Sequence, residues 1–209
     1  LKLNSDDSII TTLPYNYSYG LSVINTHLQS GAKIILNTEQ LTQRKFWNYF
    51  DQNKVTGLSG VPSHFHIIKQ LKITSFLKNK FKYATVAGGA LDLPTLKYIS
   101  NLFRENNKKF YVMYGQTEAG PRMTYLPPDM LHLKQGSIGI PIPGGKIDFE
   151  KNKKNISNTN PAELIYYGQN VCMGYAENFL DLELGDQNNG ILRTGDIGYK
   201  DPDGYFYIA

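Results

Sequence analysis

The amino-acid sequence predicts an α/β protein in which a mostly parallel sheet flanked by helices is followed by a small, distorted β-barrel-like subdomain. Up to about residue 125, short apolar segments alternate with helix-length segments, which is the pattern of a parallel sheet covered by helices. Beyond that point, glycine and proline separate short strand-like segments, and no helix-length periodic stretch occurs. We therefore predict two regions, residues 1–125 and 126–209.

The first region alternates helices and strands in a regular order. A helix is predicted from Ser18 to Leu28, because Gly31 is a favourable helix stop. The next segment, from Lys33 to Leu36, has the short apolar pattern of a buried strand. The later predicted elements are a helix at 41–50, a strand at 55–60, a helix from Pro62 to about 71, a strand at 83–87, a helix from Pro94 to about 106, and a strand at 110–114.

The second region has the composition of short strands joined by turns. Strand-like segments occur at 146–150, 163–167 and 205–208. The segment from Asp201 to Gly204 is typical of a hairpin turn. The asparagine-rich segment 152–160 is predicted to be a surface loop.

Composition and charge exclude several classes of function. The 209 residues carry 22 Lys and Arg against 18 Asp and Glu, a net charge of +4 without a concentrated basic tract, so no nucleic-acid partner is expected. Because no apolar stretch approaches the roughly 20 residues that span a bilayer, no membrane partner is expected either. The single cysteine, Cys172, excludes an internal disulfide and fits a reducing, cytoplasmic location.

The strongest chemical motif directly follows the strand at 110–114. It runs from Tyr114 to Glu118, at the strand end where ligands bind in parallel sheets. An aromatic ring there can stack on a base, and the glycine after it allows the backbone to turn close to a ligand. The Thr117 hydroxyl can donate to a phosphate oxygen, and Glu118 can hold a hard cation such as Mg²⁺. A turn with an incidental glutamate is the alternative interpretation.

Two further segments are weaker signals when taken alone. The segment from Ala87 to Ala90 contains paired glycines after a strand, which permit close backbone approach to a planar ligand but also occur in ordinary turns. The segment from Arg193 to Asp196 places an aspartate behind a glycine. That carboxylate could accept hydrogen bonds from a ribose diol, or it could simply cap a turn.

In combination and order, these segments resemble the adenylate-forming superfamily of acyl-CoA synthetases, peptide-synthetase adenylation domains and luciferases. The resemblance extends over nearly the whole chain. The segments that carry it are 13–21 (LPYNYSYGL), 60–63 (GVPS), 87–90 (AGGA), 114–118 (YGQTE), 136–141 (GSIGIP), 168–175 and 193–196 (RTGD).

The resemblance implies a role for each matched residue. Tyr114 would stack on the adenine of ATP or AMP, with Gly88, Gly89 and Ala90 on its other side, and Asp196 would hold the ribose hydroxyls. Two residues would be catalytic: Thr117 would contact the α-phosphate, and Glu118 would bind Mg²⁺. Gly115 and Gln116 complete the implied nucleotide-binding set, and the implied acyl pocket consists of Tyr15, Tyr17, Ser18 and Gly20.

The implied reaction joins a small-molecule carboxylic acid to ATP, giving acyl-AMP and pyrophosphate, after which a CoA or carrier-protein thiol takes the acyl group. The family's phosphate loop, Gly-Arg hinge and C-terminal domain with its catalytic lysine are not found in these residues. We therefore expect the chain to be an internal piece of the parent ligase, inactive when isolated. The alternatives are a non-catalytic module that binds nucleotide or acyl-adenylate, and an unrelated flavodoxin-like binding domain.

The sequence leaves several classes of acid open. Relatives that activate amino acids commonly have an aspartate where this chain has Ser18, so the resemblance argues modestly against an α-amino acid. Tyr17 stands where many relatives have histidine. Tyr15, Tyr17 and Tyr19 would form an aromatic pocket wall or belong to the core, and aryl, short-chain and long-chain acids remain open.

Overall fold

A computed structural model of the chain describes residues 1–78, 80–150 and 156–209. These residues form two compact units, the first made of residues 1–112 and 127–135 and the second of residues 113–126 and 136–209. The boundary between subdomains that the sequence predicts at residues 125 and 126 stays a prediction. Residues 152–155 of the predicted surface loop lie outside the described residues.

The first unit contains the predicted parallel sheet. Its strand order is β2-β1-β3-β4-β5, and each pair of neighbours is parallel. Sequence reasoning missed β1, because a Ser-Ile-Ile segment among polar residues is too short to show a strand pattern. The strands are β1 (Ser8–Ile10), β2 (Lys33–Ile35), β3 (Gly57–Gly60), β4 (Tyr83–Val86) and β5 (Lys109–Gln116), the last continuing into the second unit.

Four helices of the described chain alternate with these strands: α1 (Ser18–Gln29), α2 (Arg44–Gln52), α3 (Pro62–Gln70) and α4 (Leu93–Glu105). Their ends follow the expected local chemistry. Gly31 follows α1 with φ +66°, and the Asp92 carboxylate caps α4 by accepting from the backbone N–H of Thr95 at 2.9 Å. None of the helices in the described ranges is both long and apolar enough to cross a membrane.

An aromatic cluster fills the core of the first unit. Neighbouring rings are 4.9–6.2 Å apart between centroids, within the range of favourable aromatic pairs. The helix that the sequence predicts at 41–50 is observed from Arg44 to Gln52. Its buried side chains Phe46, Trp47 and Phe50 belong to this cluster. Its other members are Phe76, Phe81, Phe103 and Phe110.

The second unit contains the predicted small β subdomain. Its four-stranded antiparallel sheet has the order β11-β10-β9-β8, curled into a half-barrel. Met123, Leu164, Tyr166 and Phe206 lie at its buried core. The strands of this unit after β5 are β6 (Gly120–Leu126), β7 (Ile140–Pro141), β8 (Lys146–Phe149), β9 (Ala162–Tyr167), β10 (Ile191–Lys200) and β11 (Phe206–Ile208).

A buried carboxylate links the N-terminal segment of the first unit to Lys82, the residue before β4. Asp7 is only 3% exposed and accepts a hydrogen bond from Lys82 Nζ at 2.7 Å. Burial alone would raise the pKa of Asp7, but bonds from Lys82, the backbone of Asn4 and the Thr56 hydroxyl outweigh it, so the pKa lies below its ordinary value. The ion pair therefore stabilises the fold above the unfolded pKa of 3.8, and this contribution is lost as pH falls below that value.

Lys82→Met is expected to lower the free energy of unfolding by about 1–2 kcal/mol at pH 7, a range reduced because the lysine is half exposed. Urea unfolding at pH 7 and at pH 3 measures the effect, which should shrink at the lower pH. Lys45→Met is the matched control, since Lys45 lies exposed on α2. Equal unfolding free energies for the two variants at pH 7 would contradict the stabilising role of the pair.

Candidate functional site

Asp196 lies in an irregular stretch of β10 that fixes its backbone. The pairing of β9 with β10 shifts register between Arg193 and Ile197, and Gly195 adopts φ +71° there, as in a β-bulge. The Thr194 hydroxyl donates to the Leu164 carbonyl at 2.8 Å and accepts from the Asp196 N–H at 3.1 Å. The bulge therefore sets the direction in which the Asp196 carboxylate is presented.

The end of β5 supplies two donors to this carboxylate. Asp196 Oδ2 accepts from the Tyr114 hydroxyl at 2.6 Å and from Gln116 Nε2 at 2.9 Å. Gln116 Nε2 also donates to the Thr194 carbonyl at 2.7 Å, so one side chain holds both the bulge and the carboxylate. Both bonds end on Oδ2, which leaves Oδ1 able to accept a hydrogen bond from a ligand hydroxyl.

Tyr114 is held as a neutral donor. Burial, and then the hydrogen bond to Asp196, raise the pKa of its phenol well above the ordinary value. Its ring is partly buried against the core of the second unit. One edge of the ring is therefore anchored by packing and its hydroxyl by Asp196, which restricts the orientation of the aromatic face.

Glu118 lies in a short 3-10 turn, Thr117–Ala119, between β5 and β6. Its backbone carbonyl accepts from the Cys172 N–H at 2.6 Å, and its carboxylate accepts a hydrogen bond from the Tyr175 hydroxyl. Thr117 is exposed at the start of the turn, and Glu118 is half-buried. Sequence reasoning gave Tyr175 no role, although it ends one of the segments that carry the family resemblance.

The described residues include no group of three or more His, Cys, Asp or Glu side chains that could hold a metal ion. An all-protein metal cage is therefore not formed by these side chains. Magnesium in nucleotide sites commonly takes only one or two carboxylates and completes its shell with phosphates and water. A single accessible carboxylate such as Glu118 fits that second type of site.

In the first unit, the glycine-rich segment 87–90 lies next to segment 13–21, which contains the residues of the implied acyl pocket. Gly88 has φ +80° and Gly89 has φ +155°, conformations that favour glycine. A Cβ on Gly88 would overlap the Tyr17 hydroxyl, and one on Gly89 would lie 3.4 Å from Pro62 Cγ. Three segments that were singled out from sequence are therefore adjacent at the carboxyl edge of this sheet, as expected for such sheets.

The four residues of the implied acyl pocket occupy different environments. Tyr15 is 50% exposed, whereas Tyr17 and Ser18 are partly buried. Gly20 is buried where a Cβ would overlap the Pro14 carbonyl oxygen, so packing of α1 against its own preceding turn requires glycine there. Tyr19 belongs to the core, since it is fully buried and its hydroxyl bonds to the Thr85 carbonyl at 3.0 Å.

A groove of about 670 Å³ opens beside the carboxyl ends of β1 and β2. Tyr15 lines it, but Tyr17, Ser18 and Gly20 do not. His64 also lines it, and the Nδ1 atom of this side chain is buried without a hydrogen-bond partner among the described residues. Burial lowers the pKa of His64, so the groove wall there is neutral. No sequence signal distinguished His64 from an ordinary helix residue.

The two sets of candidate residues belong to different units. Tyr15, Tyr17, Ser18, Gly20 and the segment 88–90 lie in the first unit. Tyr114 through Glu118 and Asp196 lie in the second. Within the second set, hydrogen bonds join Tyr114 and Gln116 directly to Asp196. The set also contains a second accessible carboxylate, that of Glu118.

The fold and this arrangement define the class of protein. The chain belongs to the AMP-binding enzyme family, whose model matches residues 1–176. This confirms the family resemblance deduced from the ordered motifs.

Individual relatives agree with this assignment. The chain is 26% identical over 208 residues to 2-succinylbenzoate–CoA ligase of Bacillus subtilis (strain 168), an alignment that covers 100% of this chain and 41% of the relative. It is 31% identical over 212 residues to probable 4-coumarate–CoA ligase 3 of Dictyostelium discoideum, covering 97% of this chain and 37% of the relative. The chain thus spans about two fifths of the length of these curated relatives.

Solved structures confirm the predicted fold class. The chain matches o-succinylbenzoate CoA synthetase from Bacillus subtilis in complex with ATP and magnesium ion at a TM-score of 0.81 and 25% identity, over 100% of this chain and 42% of that one. The same synthetase in complex with the acyl-adenylate intermediate OSB-AMP gives a TM-score of 0.81 and 25% identity, over 100% and 53% of the two chains.

Proposed function

We propose that this chain forms the nucleotide-binding and acyl-binding part of an ATP-dependent carboxylate-activating ligase. A carboxylate oxygen attacks the α-phosphorus of ATP, the bond from that phosphorus to the bridging oxygen of pyrophosphate breaks, and acyl-AMP forms. The thiol of CoA or of a carrier protein then takes the acyl group and releases AMP. Membership of the AMP-binding enzyme family supports the first step, and the similarity to two CoA ligases supports the second.

The observation that carries the proposal is the shared hydrogen bonding of Asp196. Tyr114 and Asp196 are 82 positions apart in the sequence, yet the phenol donates to the carboxylate at 2.6 Å. Gln116 adds a second bond to the same oxygen. These bonds bring together two motifs of the second unit that the sequence analysis singled out separately for nucleotide chemistry, and this proximity supports the proposal.

In this proposal, the side chains orient the nucleotide and contribute no covalent chemistry. Tyr114 presents its ring to adenine. Asp196 accepts hydrogen bonds from the ribose through Oδ1. Thr117, whose side chain is exposed, donates to the α-phosphate. Holding the nucleoside and the α-phosphate in one orientation lowers the entropic part of the activation barrier.

Glu118 is proposed as the residue that would hold the magnesium ion accompanying ATP. When bound, such an ion neutralises phosphate charge and polarises the reacting phosphoryl group. The chain's contribution is the position of the carboxylate, which the 3-10 turn and its contacts fix. The binding of AMP without metal should therefore depend much less on Glu118 than the reaction does.

For the acid, we propose an aromatic carboxylic acid as the first class to test. The two curated relatives described above are named for 2-succinylbenzoate and 4-coumarate, both of which carry an aromatic ring. Tyr17 supplies a ring beside Gly88, Tyr15 supplies one on the wall of the groove, and Ser18 offers no negative charge to an α-amine. Aliphatic acids remain the comparison class.

The test is carboxylate-dependent ATP–pyrophosphate exchange by the full-length protein with aromatic, aliphatic and amino acids. Exchange with one class identifies both adenylation and the substrate class. A folded protein that binds AMP but exchanges with no acid would support the alternative, a non-catalytic module that binds nucleotide or acyl-adenylate. We also propose that these 209 residues alone turn over no substrate, and that the full-length protein is cytoplasmic.

Asp196→Ala is expected to weaken AMP binding by roughly thirtyfold, because a charge-assisted hydrogen bond contributes about 2 kcal/mol. Isothermal titration of AMP without metal measures this loss. Asp203→Ala is the control in the same unit, since Asp203 lies exposed in the turn between β10 and β11. Unchanged AMP affinity in Asp196→Ala would remove this residue from the nucleotide site.

A further inference from the structure

The segment 170–175 is fixed within the second unit from several directions. Val171 is buried in the core cluster, and Asn170 accepts a hydrogen bond from the Tyr166 hydroxyl at 2.8 Å. On the far side, Asn188 Nδ2 donates to the Cys172 carbonyl at 2.8 Å, and the Gln187 N–H donates to the Met173 carbonyl at 2.8 Å. A segment held in this way can impose a position on whatever it contacts.

What it contacts is the turn that carries Glu118. The Cys172 N–H donates to the Glu118 carbonyl at 2.6 Å, and Asn170 Nδ2 donates to the Ala119 carbonyl at 2.6 Å. The Tyr175 hydroxyl donates to Glu118 Oε1. Two of these bonds fix the backbone of the turn, and the third fixes the carboxylate itself.

From this geometry we propose that Tyr175 is a positioning residue for the metal ligand of the reaction. It donates to Oε1 of Glu118 and thereby holds the carboxylate in the rotamer that leaves Oε2 for the magnesium ion of the bound nucleotide. This inference rests on the proposed role of Glu118. Tyr175 is 69% exposed, so core packing does not account for its placement.

Partners that orient a metal ligand typically change metal affinity by 10- to 100-fold when removed. Tyr175→Phe in the full-length protein should therefore raise the Mg²⁺ concentration that gives half-maximal exchange by about tenfold, with the rate partly recovered at saturating Mg²⁺. Calorimetric binding of the Mn²⁺ complex of α,β-methylene-ATP should weaken by a similar factor. Metal-free AMP affinity and the thermal midpoint should not change.

Tyr199→Phe is the matched control, since it also removes one hydroxyl group, from a ring that is stacked on Tyr207 in the same unit. If Tyr175→Phe leaves both metal-dependent readouts at wild-type values, or weakens metal-free AMP binding equally, the positioning role is overturned. If the wild-type protein shows neither carboxylate-dependent exchange nor binding of the Mn²⁺ complex, the proposed function itself has failed, and with it the basis of this inference.

Discussion

Glu118→Gln is expected to lower carboxylate-dependent ATP–pyrophosphate exchange by about 100- to 1,000-fold, since metal and oxyanion stabilisation of a transition state contributes several kcal/mol. The amide keeps the size of the side chain and can still interact with Tyr175, but it loses the negative charge that would hold Mg²⁺. Initial exchange rates at fixed ATP and a range of Mg²⁺ concentrations measure the effect. AMP binding without metal should stay within about threefold of wild type, because in this proposal AMP relies on Tyr114 and Asp196.

The matched control is Glu177→Gln, which removes a carboxylate of the same unit that is exposed to solvent. It should leave exchange unchanged, because it alters net charge by the same amount at a side chain that has no role in the proposed chemistry. A Glu118→Gln protein that exchanges at the wild-type rate would exclude Glu118 as the magnesium ligand. A protein that loses AMP binding to the same extent as exchange would indicate a general distortion of the turn.

Sequence predicts an element well where a local signal marks its end. The first helix was predicted at Ser18–Leu28 and is observed at Ser18–Gln29, because Gly31 ends it through local backbone geometry. The elements that sequence missed depend on tertiary pairing. Strand β1 has three residues and is defined by its neighbours β2 and β3, while β10 contains the glycine and aspartate of a bulge that interrupt any alternating pattern.

The candidate site likewise contains features that local sequence predicts and features that depend on the tertiary fold. Residue types adjacent in sequence, such as Tyr114 through Glu118, could be singled out because chemistry and strand position coincide. The bonds from Tyr114 and Gln116 to Asp196 could not be predicted, because they join residues about 80 positions apart. The position of Asp196 also depends on the register shift between β9 and β10. Sequence reasoning gave Tyr175 no role, since only the folded turn shows that its hydroxyl reaches Glu118.

Gly115→Ala is expected to lower the free energy of unfolding by at least about 3 kcal/mol, the upper range for overpacking. The sequence predicts that this glycine allows close approach of the backbone to a ligand. The structure adds a second requirement, because a Cβ there would overlap the Gly120 carbonyl oxygen and lie 2.5 Å from Pro121 C and 2.8 Å from Arg122 N. All three atoms are backbone, so no side-chain rotation relieves the clash, and the ends of β5 and β6 would have to separate.

Urea unfolding measures this change, and Gly144→Ala supplies the comparison. Gly144 has φ +83° with nothing within 4 Å of the position that a Cβ would occupy, so alanine there costs only backbone strain of about 1–2 kcal/mol. If Gly115→Ala is no less stable than Gly144→Ala, close packing of β5 on β6 is not the reason for glycine.

Because Tyr114 and Gln116 flank Gly115, separation of the strands should also release their bonds to Asp196. The Gly115→Ala protein that remains folded at low temperature should therefore bind AMP more weakly than wild type. This result would link the packing of the β5–β6 hairpin to the proposed nucleotide site.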